Sequence, residues 1–156
     1  MAPVVADASA LLALSKLDHL ELLRDLFQRV SIPPTVSHEI SRTLPRLPDW
    51  IQVVTPHSAG ASRDVVGLHQ GELEAIALSL EVSASLLILD DLPARRHAVG
   101  LGLAIIGTAG VLVMARRARL IPSVREPLDA LRRSGFRLRQ DVYDQILIDA
   151  GEEERG

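Results

Sequence analysis

The sequence predicts a three-layer α/β/α sandwich with a central parallel sheet and extra helices at the C-terminal end. Short apolar runs at residues 3–6, 86–89 and 104–107 are typical of strands covered on both faces, as in parallel sheets. Segments with helical spacing of apolar residues lie between these runs, an alternation typical of α/β proteins. The length of 156 residues suits one domain, with a core over about residues 1–120 and a helical extension over about 121–150.

The elements of the first half follow from the points where apolar periodicity starts and stops. Asp18 and Thr35 stand at expected N-cap positions, and two consecutive prolines, Pro33 and Pro34, end a strand. Two further prolines break the period within residues 44–49, which we expect to form a loop. The predicted elements are a strand at 3–6, helices at 10–14 and 18–27, a strand at 30–32, a helix beginning at Thr35 and a strand at 51–54.

The second half contains the clearest amphipathic helix of the chain. It begins at Gly71, after a polar loop or irregular helix over residues 55–70, and its apolar stripe is centred near Leu80. The stripe consists of Leu73, Ile76, Ala77 and Leu80. The next predicted elements are a strand at 86–89, a short helix through Arg95 and Arg96, a strand at 104–107, and three helices up to residue 150 that are separated near 121–123 and 134–135.

Composition excludes several classes of protein. Hydrophobic residues make up 47% and charged residues 24% of the chain, as in globular proteins, and the absence of cysteine excludes disulfides and thiolate zinc sites. No apolar run approaches the roughly 20 residues of a membrane helix, and the N-terminus lacks the pattern of a signal peptide. We therefore expect a cytoplasmic protein without a membrane partner.

Charge is distributed unevenly along the chain. The formal net charge is −3, but residues 92–139 contain ten arginines and only two acids. Arginine binds phosphate through paired donors, so this block is a candidate surface for a polyanion. Charge alone fits solvated helix faces equally well.

Acidic side chains follow two of the predicted strands. Asp7 comes directly after the first apolar run, and Asp90 and Asp91 come directly after the run at 86–89. Ligands of open α/β sheets bind at the carboxyl ends of strands, although a single aspartate there fits an N-cap of the next helix equally well. Clustered carboxylates repel one another unless a cation is present, and oxygen ligands suit Mg²⁺ or Mn²⁺. The other acids available from predicted helices are Glu39, Glu72 and Glu74.

Other acid-rich or phosphate-binding α/β folds require residues that this sequence lacks. A phospho-receiver domain needs a lysine late in the chain, whereas the only lysine is Lys16. A haloacid-dehalogenase phosphatase needs a second aspartate where Ser9 stands. No glycine-rich dinucleotide-binding or P-loop pattern follows a predicted strand. The five histidines show no metal-ligand spacing, and Trp50 and Tyr143 are expected to be packing residues.

Four short motifs occur in the order found in the PIN-domain ribonucleases, the family of the toxins in many bacterial and archaeal toxin–antitoxin pairs. VVADASALLAL resembles the first strand of that family with its catalytic aspartate, and PPTVSHEI resembles the helix with the catalytic glutamate. LLILDD followed by ARR is similar to the strand that ends in the last catalytic aspartate, and GTAGVL is similar to the next strand-to-helix turn. The resemblance extends over nearly the whole chain, to an uncharacterised bacterial and archaeal branch of the family.

The resemblance implies an Mg²⁺- or Mn²⁺-dependent endoribonuclease. The family's third acid is an aspartate that opens a helix, where this sequence has Glu72 and Glu74 on opposite flanks of the apolar stripe. Periodicity does not choose between the two, and we favour Glu74 because it directly precedes the small apolar run. The implied catalytic acids are Asp7, Glu39, Glu74 and Asp91, with Asp90 and Glu72 as further metal ligands and with one or two ions.

Other roles and partners come from the same resemblance. Ser9 and Thr108 are expected to orient carboxylates or water. Arginines expected to contact RNA are Arg95, Arg96, Arg116, Arg117 and Arg119. Expected partners are RNA, an antitoxin protein that fills the site and a second copy of the chain in a homodimer. The alternative function is a catalytically inactive PIN-like module that binds RNA or protein, with RNA binding unaffected by metal or by Asp7→Asn.

Overall fold

The structure is a computed structural model, and it describes residues 2–57 and 65–152. Residues 58–64, within the loop expected at 55–70, lie outside this part. The strands are β1 (Val4–Ala6), β2 (Val30–Ile32), β3 (Ile51–Val53), β4 (Leu86–Ile88) and β5 (Ile105–Ile106). The helices are α1 (Ala8–Lys16), α2 (Leu22–Phe27), α3 (Pro34–Ile40), α4 (Gln70–Glu81), α5 (Leu92–Gly100), α6 (Thr108–Arg117), α7 (Arg125–Arg133) and α8 (Gln140–Asp149).

All five strands are parallel and lie in the order β3-β2-β1-β4-β5. Val5 pairs with Ser31 of β2 on one side of β1, and Ala6 pairs with Ile88 of β4 on the other side. Strands β2 and β3 therefore lie on one side of β1, in chain order. Strands β4 and β5 lie on its other side, again in chain order. The direction reverses between β1 and β4, and in such sheets this point is where a ligand crevice opens.

Strand residues alternate between two hydrophobic cores, one on each face of the sheet. Val4 and Ala6 of β1 face the first core, which is shared with α1, α2, α3 and α6, whereas Val5 faces the second core, formed with α4 and α5. In β4, Ile88 belongs to the first core and Leu87 to the second. This period of two, with helices on both faces, confirms the predicted three-layer α/β/α sandwich.

The C-terminal helices extend the first core. Leu128 and Leu131 of α7 and Leu147 of α8 are almost completely buried in it, and α8 packs against α6. Within residues 2–57 and 65–152, the structure contains no helix with the length and apolar character needed to cross a membrane.

Two expected N-caps are wrong. Asp18 adopts a left-handed conformation with φ of 56°, and α2 begins four residues later, at Leu22. Helix α3 begins at Pro34, one residue before Thr35, with Pro33 at the N-cap position. Proline fits the first helical position because the N–H that it lacks would have no partner there.

The apolar stripe expected for α4 is confirmed at Leu73 and Ile76, which are buried, but its expected centre near Leu80 is wrong. Leu80 is 45% exposed, whereas Ala75, Leu78 and Ser79 are buried. Helix α4 packs against β1 and β4 and also contacts α3 and α5, so most of its circumference is covered. Amphipathic periodicity assumes one buried face and one face in water, and that assumption fails for this helix.

Candidate active site

A cleft of about 1130 Å³ lies at the carboxyl ends of β1 and β4, where the direction of the sheet reverses. Five acids line it: Asp7, Glu39, Glu72, Asp90 and Asp91. Asp7 and Asp90 follow strands β1 and β4, and Asp91 is the N-cap residue of α5. Glu39 and Glu72 lie on helices α3 and α4. The fold thus brings together acids that are more than 80 residues apart in the sequence.

Asp7 is the most enclosed of these acids in the cleft, with only 5% exposure. Its backbone N–H donates to the carbonyl of Ile88 at 3.0 Å, which fixes it beside the end of β4. Asp7 precedes α1 at the N-cap position, but its side chain makes no capping hydrogen bond to that helix. The N-cap alternative therefore fails for Asp7.

The electrostatic environment of Asp7 disfavours its ionised form. The pKa of Asp7 is raised to about 7, and burial is the largest cause of this increase. The negative charges of Glu72, Glu39 and Asp90 contribute to the same increase, and the Ala8 N–H opposes it. Like charges act on a carboxyl group in this way when no cation lies between them.

Asp90 is held in a fixed orientation by the first residue of α6. Its Oδ1 accepts from the Thr108 N–H at 2.7 Å, and its Oδ2 accepts from the Thr108 hydroxyl at 2.6 Å. A Cβ atom added to Gly107 would lie 2.8 Å from Asp90 Oδ1 and 2.7 Å from Arg95 Nη1, so a glycine permits this close approach. Thr108 therefore orients one cleft carboxylate, Asp90.

Asp91 both caps a helix and contributes to the cleft. Its Oδ2 accepts from the N–H of Ala94, in the first turn of α5, at 3.1 Å. Asp91 also contacts Glu72, whose pKa is raised first by burial and then by the charge of Asp91 and a hydrogen bond with it. The N–H of His69 donates to Glu72 at 2.9 Å, and this hydrogen bond lowers the pKa of Glu72.

The structure places Glu72, and not Glu74, on the cleft. Both side chains are buried, with exposures of 6% and 8%. Glu72 lines the cleft beside Asp91, whereas Glu74 accepts a hydrogen bond from the Thr35 hydroxyl of α3. This placement is the opposite of our preference for Glu74, which rested on the local sequence alone. The geometry favours Glu72 as the acid that α4 contributes.

Glu39 lies at the exposed rim of the cleft, against the start of α4. A Cβ atom on Gly71 would collide with the Glu39 carboxylate, so a glycine permits this contact. Partial burial raises the pKa of Glu39, with a further increase from Glu74 and an opposing effect of His69. Glu39 therefore approaches the other acids because α4 has no side chain at residue 71.

The arginines expected to contact RNA do not line the cleft formed by the described residues, although Arg95 lies near Asp90 beside Gly107. Arg95 Nη1 donates to the Leu89 carbonyl at 3.4 Å, and Arg96 is exposed on α5. Arg116, Arg117 and Arg119 are at the C-terminal end of α6, with Arg117 about 13 Å along the helix axis from Thr108. Arg116 pairs with Glu152 at 3.6 Å, and Arg117 Nε donates to the Asp149 carbonyl at 2.9 Å. None of the five lines the cleft in the part of the chain that the structure describes.

Two other arginines line the cleft instead. Arg137 and Arg139 lie in the loop between α7 and α8, together with Phe136, and Ser9 lines the cleft from α1. The sequence contained one signal for them, since both belong to the arginine-rich block of residues 92–139. That block does not show which of its members reach the carboxyl edge of the sheet.

Comparison with known proteins gives one match. A family model described as a PIN domain matches residues 3–152. The chain belongs to the PIN-domain family. PIN domains are generally nucleases, and the matched residues include α7 and α8. No curated protein and no solved structure matches the chain.

The acids of this PIN domain fit a hard divalent cation through their chemistry. All five offer carboxylate oxygens, the ligands that Mg²⁺ and Mn²⁺ prefer. Among residues 2–57 and 65–152, no three acidic or histidine side chains are close enough to bind one ion jointly. Mg²⁺ typically binds through one or two carboxylates and keeps several waters, so direct ligation by three side chains is not required. A cation would also relieve the repulsion that raises the pKa of Asp7.

Proposed function

We propose that this PIN domain is a metal-dependent endoribonuclease that hydrolyses RNA phosphodiester bonds. The observation that carries the proposal is the buried Asp7 carboxyl group, whose pKa is raised to about 7 in a cleft shared with four other acids. Burial of an acid among other acids destabilises a protein, and a bound cation is a physical reason to retain such a cluster. The family supplies the reaction class.

The acids proposed to hold one or two ions, directly or through coordinated water, are Asp7, Glu72 and Asp91, with Asp90 and Glu39 beside them. When bound, Mg²⁺ or Mn²⁺ lowers the pKa of a coordinated water and neutralises charge on the scissile phosphate. Thr108 keeps Asp90 oriented through two hydrogen bonds. Ser9 lines the cleft and offers a hydroxyl group to water or phosphate.

The proposed hydrolysis leaves defined product ends. The oxygen of water forms a bond to phosphorus, and the bond from phosphorus to the ribose 3′-oxygen breaks. The 3′-oxygen leaves with a proton, so the products are a 3′-hydroxyl and a 5′-phosphate. These ends distinguish metal-assisted hydrolysis from attack by the ribose 2′-hydroxyl, which leaves a 5′-hydroxyl.

Cleavage of a labelled single-stranded RNA by the purified protein tests the function. Cleavage should require Mg²⁺ or Mn²⁺, stop with chelator, and fall at least about tenfold in Asp7→Asn. Glu72→Gln and Glu74→Gln form a matched pair in one helix, and the larger loss is expected for Glu72→Gln. Cleavage that survives both chelator and Asp7→Asn would overturn the proposal. RNA binding without cleavage, unchanged by metal and by Asp7→Asn, would support the binding-module alternative.

The toxin role is a narrower proposal that comes from the resemblance alone. A toxin would stop growth when expressed without its partner, and an antitoxin that fills the cleft would abolish RNA cleavage. The test compares the growth of a bacterial host that expresses the wild type with the growth of a host that expresses Asp7→Asn. Equal growth with both would argue against a toxin that acts through RNA cleavage. A homodimer is tested independently by sedimentation.

A further inference from the structure

The loop between α7 and α8 forms part of the cleft wall. Phe136, Arg137 and Arg139 from this loop line the same cleft as the five acids. The acids follow strands or lie on helices α3, α4 and the start of α5 in the core of the fold, whereas the arginines belong to the C-terminal extension. The cleft therefore has an acidic part and a cationic part that come from different regions of the chain.

The loop backbone is held on both sides of the two arginines. The Arg132 guanidinium lies 4.1 Å from the centroid of the Tyr143 ring, which joins α7 to α8. Arg132 also donates to the Leu138 carbonyl at 3.2 Å, at the residue between Arg137 and Arg139. The Phe136 N–H donates to the Leu131 carbonyl at 3.0 Å, and the Phe136 side chain packs against the first core.

The two arginine side chains have little else to bind. Arg137 is exposed and makes no hydrogen bond or ion pair with any residue that the structure describes. Arg139 pairs with Asp141 at 2.9 Å, but the two side chains are 82% and 64% exposed. An ion pair at such exposure contributes little and exchanges readily with other partners. Both guanidinium groups are therefore available to an anion that enters the cleft.

The burial of Asp7 at the cleft favours a single-stranded substrate. Asp7 is only 5% exposed, so a phosphate that reaches it must leave the regular path of a duplex. A single strand can bend in this way, and its next phosphates then pass the wall that carries Arg137 and Arg139. Guanidinium groups form paired, charge-assisted hydrogen bonds with phosphate oxygens.

We propose that Arg137 and Arg139 bind backbone phosphates that flank the scissile phosphate of single-stranded RNA. This inference rests on the proposed function for the identity of the ligand. It assigns substrate binding to the C-terminal extension, while the acids of the strand ends perform the hydrolysis. The arginines at the end of α6, by contrast, do not line the cleft within residues 2–57 and 65–152.

Binding of a fluorescent single-stranded RNA oligonucleotide, measured by anisotropy in chelator, tests this inference without cleavage. The variant Arg137→Gln/Arg139→Gln is compared with the control Arg29→Gln/Arg133→Gln, which removes the same charge from exposed arginines. Arg29 precedes β2 at the opposite edge of the sheet, and Arg133 lines a separate pocket with Lys16. Thermal melting of both double variants checks that they are folded.

The cleft variant should bind RNA roughly tenfold more weakly than the wild type. Its slope of log K against log salt should also be shallower. Each phosphate contact to a single strand contributes about 0.7 to the slope of log K against log salt, so two contacts contribute about 1.4. The control should stay within about twofold of the wild type. Equal affinities and slopes for the two double variants would overturn the inference.

Three competitors and one kinetic experiment complete the test. Duplex RNA that binds as tightly as the single strand, with the same dependence on Arg137 and Arg139, would overturn the single-strand assignment. Polyglutamate that competes as well as RNA would indicate an acidic protein partner instead, whereas single-stranded DNA tests discrimination at the ribose. In cleavage assays the cleft variant should raise KM with kcat nearly unchanged. A wild type that binds RNA through these arginines without cleaving it would contradict the proposed function and not the binding site.

Discussion

Replacing Asp7 with asparagine is expected to stabilise the protein in the absence of metal. The substitution keeps the shape of the side chain and removes its charge. Asp7 is 5% exposed, makes no capping hydrogen bond to α1, and lies near the charges of Glu72, Glu39 and Asp90. The substitution therefore removes a buried charge that has no compensating cation.

The magnitude follows from the raised pKa of Asp7. Each pKa unit corresponds to about 1.4 kcal/mol, so a change from 3.8 when unfolded to about 7 when folded destabilises the protein by about 4 kcal/mol at pH 8. Burying the amide of asparagine costs about 1–3 kcal/mol if its hydrogen-bonding groups are not fully paired. The net gain in the free energy of unfolding should be about 1–3 kcal/mol at pH 8, or about 3–10 °C in melting temperature.

The pH dependence identifies the carboxyl group as the source of this gain. The folded state holds a proton on Asp7 up to about pH 7, whereas the unfolded chain releases it near pH 3.8. The wild type therefore loses stability as pH rises from about 4 to 7, and Asp7→Asn loses less, because only Glu39 and Glu72, whose pKa values are also raised, still contribute. At pH 5 the raised pKa of Asp7 destabilises the folded wild type by about 2 kcal/mol, compared with about 4 kcal/mol at pH 8. The stability difference between Asp7→Asn and the wild type should therefore be about 2–3 kcal/mol smaller at pH 5 than at pH 8.

Urea unfolding in chelator at pH 5 and pH 8 measures both quantities. Asp49→Asn, at an exposed aspartate, is the matched control and should change stability by no more than about 0.5 kcal/mol. Asp7→Asn that is less stable than the wild type at pH 8, or an advantage that is equal at both pH values, would refute the reasoning. Either result would mean that the Asp7 carboxylate is stabilised by partners within the protein.

Substitutions at three further residues test other parts of the cleft. Gly71→Ala should leave the free energy of unfolding unchanged or raise it by up to about 1 kcal/mol, while RNA cleavage falls at least about tenfold, because Glu39 must move; normal rates would show that the position of Glu39 is unimportant. Thr108→Val should cost about 1–3 kcal/mol in urea unfolding through the lost hydrogen bond to Asp90, and Thr108→Ser should restore most of it. Asp91→Ala should cost about 0.5–2 kcal/mol by calorimetry in chelator because a helix cap is lost; a gain would instead assign Asp91 to the repelling acids alone.

The order of strands and helices could be predicted from the sequence because the signals are local. Apolar runs end at the strand ends, and the acids that follow them, Asp7, Asp90 and Asp91, are visible without a structure. Parallel strands place their carboxyl ends at one edge, so a shared cleft for these acids also follows from the sequence. These expectations depend on neighbouring residues and on one general rule of sheet geometry.

The choice between Glu72 and Glu74 depended on the tertiary structure. Periodicity assigns a helix one buried face, but α4 packs against the sheet and also contacts α3 and α5. Both glutamates are buried there, and their neighbours differ: Asp91 lies beside Glu72, and Thr35 donates to Glu74. No spacing rule within one helix contains information about its neighbours.

The arginines of the cleft show the same division between sequence and structure. The sequence by itself determined that residues 92–139 are rich in arginine and that helices follow the core. Only the tertiary structure decided that Arg137 and Arg139 line the same cleft as the acids, whereas Arg117 lies at the far end of α6 and donates to the Asp149 carbonyl. The physical reason is that α8 packs against α6 and thereby fixes the loop before it at the carboxyl edge, through contacts between residues far apart in the chain.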